Sequence, residues 1–149
     1  MDLITNSINL IIWAAVGVSL VYGLWLIVDV LKQPSGDEKM REIALAIQIG
    51  AAAYLRRQYQ VMAIVALVLS AGIYFTLGIN SAIGFLVGAF FSALAGFIGM
   101  SVAVRANVRV AESAKQGLKE AFSLSYKGGA VTGFLVVGLA LAAVWGFYQ

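Results

Sequence analysis

Charged residues divide the chain into three long apolar stretches. Asp2 and Asp29 enclose 26 uncharged residues, Arg57 and Arg105 enclose 47, and 22 follow Lys127. A membrane helix needs about 20 apolar residues. The longest stretch would make about 70 Å of helix at roughly 1.5 Å per residue, more than twice a hydrocarbon core of about 30 Å. It therefore holds two spans joined by a tight turn, for which "LGINSA" (77–82) supplies Gly78 and Asn80 as turn residues. The pattern predicts an all-α polytopic membrane protein, a single module over 1–149. Its four transmembrane helices are placed at about 8–31, 60–79, 81–104 and 129–148.

Polar segments 32–59 and 105–128 connect the spans. In the first, Pro34 stops the preceding helix, and Ser35 with Glu38 three residues on reads as a capping box. Met40, Ile43, Ala44, Ile47, Ala51 and Leu55 then recur at helical spacing. They predict an amphipathic helix that runs straight into the second span, with Arg56 and Arg57 as headgroup anchors where it enters the bilayer. In the second segment, Arg105, Arg109, Glu112, Gln116 and Lys119 fall on one helical face, and Val108, Ala111, Leu118 and Phe122 on another. Gly128–Gly129 is predicted to break this helix before the fourth span.

Within the spans, Gly84, Gly88, Ser92 and Gly96 recur every four residues, a stripe that lets a second helix approach closely. Shorter versions occur at Ala15, Ser19 and Gly23, and at Gly129 and Gly133.

Composition agrees with a membrane class. The 149 residues are 62% hydrophobic and 11% charged, with a mean hydropathy of +0.94. Soluble domains are nearer about half apolar and about a quarter charged. All ten Lys and Arg lie between Lys32 and Lys127, in the two connecting segments. The positive-inside rule then makes 32–59 and 105–128 cytoplasmic loops and puts both termini outside, as expected of a multi-pass protein of the cell (inner) membrane. The net charge of +3 follows from this topology and requires no nucleic-acid partner. Asp2 and the absence of a basic leading segment argue against a cleaved signal peptide.

Candidate chemistry is sparse. There is no Cys and no His. Asp29 is the one charged residue placed inside a span, near its cytoplasmic end and three residues before Lys32, where a local helix pair or an interfacial carboxylate explains it. A rotor-ring subunit needs a carboxylate midway along a span and a four-span drug exporter a Glu in the first span; this chain has neither. Asp37, Glu38 and Glu42 cluster in the first turns of a helix, where the macrodipole already favours negative charge. No phosphate-binding glycine motif and no nucleophile–base pair occurs.

Three blocks carry a resemblance: "AIQIGAAAYLRRQY" (46–59), "GFLVGAFFSALAGFIGMSVAVRANVRVAESA" (84–114) and "KGGAVTGFLVVGLALA" (127–142). In order and spacing they resemble the membrane-integral, ion-translocating inorganic pyrophosphatases. Val110 departs from the pattern, which has Thr after "NVR". The resemblance covers about residues 20–149 and implies the first quarter of a sixteen-helix pump. It implies pyrophosphate hydrolysis coupled to H⁺ or Na⁺ translocation out of the cytoplasm, and a homodimer. It further implies that these four spans form outer-ring scaffold against the pump's remaining helices and the lipid bilayer. Mg²⁺, with K⁺ as a second candidate, is the cofactor implied for the full-length family, and none is expected to be bound by this segment. No catalytic, cofactor-binding or metal-ligating residue is carried over, because the family's acidic motifs have no counterpart here. Arg105 and Arg109 are expected to end an outer helix, facing cytoplasm, headgroups or a neighbouring helix. A further reading has the basic 105–127 segment attract pyrophosphate. The alternative to a pump segment is a stand-alone four-span structural or assembly protein.

Overall fold

The computed structural model describes residues 2–148, with side chains described for residues 6–147. The chain forms four helices: α1 (Asp2–Lys32), α2 (Glu38–Leu77), α3 (Ile79–Ser113) and α4 (Leu118–Tyr148). Among the described residues only 33–37, 78 and 114–117 lie outside them, and there is no strand. Each helix is long and apolar enough to cross a membrane.

The connections correct three expectations. Helix α2 is capped by Asp37 rather than Ser35. Gly36 sits at φ +78°, so the first extended backbone position before the helix is Asp37, whose Oδ1 accepts the Met40 N–H at 2.9 Å. The turn inside the long apolar stretch is Gly78 alone, at φ 87° and ψ 176°, a conformation that disfavours any side chain. Asn80 is already in α3. The third break falls at 114–117, where Lys115 and Gln116 donate their N–H groups to the carbonyls of Glu112 and Ser113 and Gly117 takes φ +145°. Gly128 and Gly129 lie inside an uninterrupted α4.

Packing runs in the row α2, α3, α4, α1, each helix antiparallel to the next. The end of α1 also reaches α3, whereas α2 touches α3 alone among the described elements. The continuous α2 presents the predicted face to α3: Met40, Ile43, Ala44 and Ile47 lie along Val104, Asn107, Val108 and Ala111, and Ala44 and Leu55 are buried. Leu118 and Phe122, expected on an apolar seam with Val108 and Ala111, instead sit on α4 and are exposed.

The core lies where α1, α3 and α4 meet. Leu26, Ala95, Val102, Val131 and Leu135 form its centre, and Val30, Ala106 and Leu124 form a second cluster nearer the charged end. At the opposite end the Trp145 indole donates to Asn9 Oδ1 at 2.9 Å, fastening α4 to α1.

The glycine stripe is shared between two neighbours. Gly84 lies under the Phe147 ring of α4, Gly96 faces the Tyr59 hydroxyl of α2, and Gly88 has open space. Gly129 and Gly133 also face open space. The closest helix approach is at Gly99, outside the stripe, where an added Cβ would lie 2.9 Å from Thr132 Cγ2 and closer still to its Oγ1. Gly99→Ala is therefore expected to lower stability by about 1–3 kcal/mol. Thr132→Ala should relieve part of that loss, whereas Gly88→Ala should change little. Thermal unfolding in detergent measures all three.

Candidate functional site

The polar chemistry of the chain collects at one end, where α1 stops, α2 starts and α3 turns into α4. Pro34 prevents α1 from continuing, so its last carbonyls need other partners. The Gln33 side chain reaches Asp29 O at 3.4 Å, and the Gln33 N–H donates to Val30 O at 3.3 Å. Arg109 of α3 reaches two more, one in the last turn of α1 and one just past it. Its Nη2 donates to Leu31 O and its Nε to Gln33 O, both at 3.1 Å, while Nη1 donates to Arg105 O at 2.6 Å. The guanidinium fork spans two carbonyls of a neighbouring chain end, and its charge opposes the negative end of the α1 dipole.

Beside this clamp, Lys127 of α4 pairs with Asp29 of α1 at 2.7 Å. The sequence offers a local pair with Lys32 or an interfacial carboxylate for Asp29; the structure pairs it across helices, with a partner 98 positions distant. On the other flank, Lys115 bridges Glu112 at 2.5 Å and Asp37 at 3.7 Å. Glu112 Oε2 is shielded from water and meets the ammonium as an ion contact rather than a well-directed hydrogen bond. The Glu112 carboxylate, with Asp37 behind it, holds the Lys115 ammonium above the ordinary lysine range. Asp37 thus caps α2 with one oxygen and reaches the α3–α4 turn with the other.

These contacts line a cleft of about 300 Å³ that includes Arg109, Glu112, Gln116, Lys119, Glu120 and Lys127. The face expected from helical spacing is brought together there, except that Lys119 arrives from α4 after a turn and Arg105 points elsewhere. Arg105 lies in a groove between α2 and α3, with Arg56. The cleft carries acidic and basic groups together, and three of the five Arg109 N–H donors are committed to carbonyls. Arg109 is therefore engaged in holding the chain after α1 against α3. Among the described residues no three His, Cys, Asp or Glu side chains gather where they could hold a metal ion, a donor set that does not fit Mg²⁺. The Arg109 clamp and the Asp29–Lys127 pair were not legible in the sequence, beyond the Pro34 that orphans the α1 carbonyls.

The arrangement defines a polytopic membrane protein whose helices are fastened together at their charged end. Residues 17–149 match the inorganic H⁺ pyrophosphatase family, and the chain belongs to it. It is 45% identical over 133 residues to a K⁺-insensitive pyrophosphate-energized proton pump of Methanosarcina mazei, covering 88% of this chain and 20% of that protein. It is 40% identical to a pump of the same description from Pyrobaculum aerophilum, covering 94% and 21%. A protein of Clostridium tetani, provisionally named a K⁺-stimulated pyrophosphate-energized sodium pump, is 35% identical, covering 78% and 17%. The chain thus spans about a fifth of the length of the curated relatives it matches.

Arg109→Gln is expected to lower stability by about 2 kcal/mol through loss of charge-assisted hydrogen bonds to the α1 carbonyls. Arg109→Lys should recover only part, since an ammonium cannot span both carbonyls. Thermal unfolding, with protease sensitivity at residues 33–37, reports the effect.

Proposed function

We propose that the chain is the first four spans of a pyrophosphate-energised proton pump, serving as scaffold for a reaction centre built on other helices. The observation that carries this is the similarity over residues 17–149 together with 45% identity to a proton pump. Protons are favoured over Na⁺ because the relatives at 45% and 40% identity are named proton pumps, whereas the sodium pump stands at 35%. In this reading pyrophosphate is hydrolysed at the cytoplasmic face and the ion leaves the cytoplasm. Mg²⁺ is held by residues outside this chain, and the pump is a homodimer in the cell (inner) membrane. The Arg109 clamp and the Asp29–Lys127 pair keep α1, α3 and α4 in register at the end nearest the hydrolytic chemistry.

The native polypeptide that carries this chain should acidify inside-out vesicles when given Mg-pyrophosphate. A polypeptide of only 15.8 kDa in its source membranes, with no pyrophosphate hydrolysis, would favour the stand-alone structural role instead. In the active pump Arg105→Gln should leave KM for pyrophosphate unchanged at low salt, because this guanidinium lies in the α2–α3 groove and outside the charged cleft.

In this reading the basic segments face the cytoplasm, which the distribution of all ten Lys and Arg supports. Since the chain has no Cys, this can be tested with a single cysteine introduced at Ser113 or Asn80. In intact cells a membrane-impermeant maleimide should label the Asn80 variant and spare the Ser113 variant; the reverse pattern would invert the topology.

A further inference from the structure

Arg56 and Arg105 share a groove of about 500 Å³ between α2 and α3, and its lining contains no carboxylate. Neither arginine enters an ion pair among the described residues. Arg105 uses Nη1 on Ser101 O of its own helix at 2.7 Å, which fixes the side chain along α3 and leaves other N–H donors unspent. Both side chains are exposed. This differs from the cleft around Arg109, where Glu112, Glu120 and the Asp29–Lys127 pair accompany the cations.

Between and beside the two arginines the lining is largely apolar. Leu55 of α2 is buried there, and α3 contributes Phe97 and Met100. Tyr59 closes the end toward the membrane interior: its hydroxyl donates to Ala93 O at 2.8 Å, and its ring meets Phe97 edge-on at 5.9 Å. The tyrosine is thus spoken for, and the charge of the groove is that of the two guanidinium groups, with the neutral Gln48 and Ser101 also in its lining. Arg57 and Arg105 bound the longest uncharged stretch of the chain, so the arginine end of the groove stands at the membrane–water boundary.

We propose that this groove binds one anionic phospholipid, its phosphate between Arg56 and Arg105 and its glycerol and first acyl carbons against Leu55, Phe97 and Met100. Charge complementarity selects the occupant. Two cations without a carboxylate favour a headgroup of net negative charge and oppose the ammonium of a choline headgroup. The apolar lining beside them matches an acyl chain and gives nothing to a free phosphate. The site lies on the α2–α3 seam, the one helix contact that α2 makes among the described elements. This inference does not rest on pyrophosphate chemistry, and lipid retention is measured independently of ion transport.

The test uses the native polypeptide that carries this chain, exchanged into detergent with equal phosphatidylglycerol and phosphatidylcholine and examined by native mass spectrometry and thermal unfolding. Wild-type protein should retain phosphatidylglycerol preferentially and be stabilised by it. The double variant Arg56→Gln with Arg105→Gln should retain about tenfold less, consistent with losing two charge-assisted contacts. Arg56→Lys with Arg105→Lys should keep most of the retention. Lys32→Gln with Lys39→Gln removes the same charge outside the groove and should retain phosphatidylglycerol as wild type does. Equal retention of the two lipids by wild-type protein would overturn the proposal, as would equal loss in the Lys32/Lys39 control. Displacement of the lipid by inorganic phosphate, but not by chloride at matched ionic strength, would assign the site to a soluble anion and also overturn it.

Discussion

The carbonyl groups at the end of α1 must be satisfied where Pro34 stops the helix, and the Arg109 guanidinium does this from another helix. Backbone acceptors left bare at this point would oppose docking of α1 against α3. The same arginine binds the Arg105 carbonyl of its own helix, so the fork is held in place before it meets its partners. Val30, fully buried against Ala106 and Leu124, lies one residue from the clamped Leu31 carbonyl. Polar satisfaction and apolar packing therefore fix the same register between α1 and α3, and Asp29–Lys127 carries that register on to α4.

Helix α2 is held differently. It packs on α3 alone, and Leu45, Ile49, Ile64, Leu67 and Val68 remain exposed. Its amphipathic first half and its apolar second half form one helix because nothing between Glu38 and Leu77 interrupts the backbone ladder. Asp37 and Lys115 then tie its first turn to the α3–α4 turn through an exposed ion contact, which gives modest stability but a defined position. In water such an apolar surface would invite aggregation; in a bilayer the hydrocarbon and neighbouring spans cover it.

Membership of the pyrophosphatase family gives this scaffold its context. Several charges near the α1 end, the α2 start and the α3–α4 turn sit in fixed pairs and helix caps: Asp29 with Lys127, Glu112 with Lys115, Asp37 on the α2 N-terminus. These contacts position the helices.

The sequence by itself determined the helix count, the membrane class and the face of α2 that meets α3, because charge spacing and the helical period are local properties. Met40, Ile43, Ala44 and Ile47 are legible as a face without knowing what they touch. It also carried the family, through the blocks at 46–59, 84–114 and 127–142. Local signals failed where several residues compete for one role. Ser35 and Asp37 can both cap α2, and the positive φ of Gly36 decides for Asp37. Gly117 and Gly128–Gly129 can both end a helix, and packing of Gly128 against Ala106 keeps the latter helical. The Gly84–Gly96 stripe announces close approach, yet the closest approach is at Gly99, where Thr132 of α4 happens to face it. Arg109 on the α1 carbonyls and Lys127 on Asp29 join positions 76 to 98 residues apart. Only the tertiary structure could decide those pairings, since a hydrogen bond depends on the distance between groups in space and no sequence spacing encodes it.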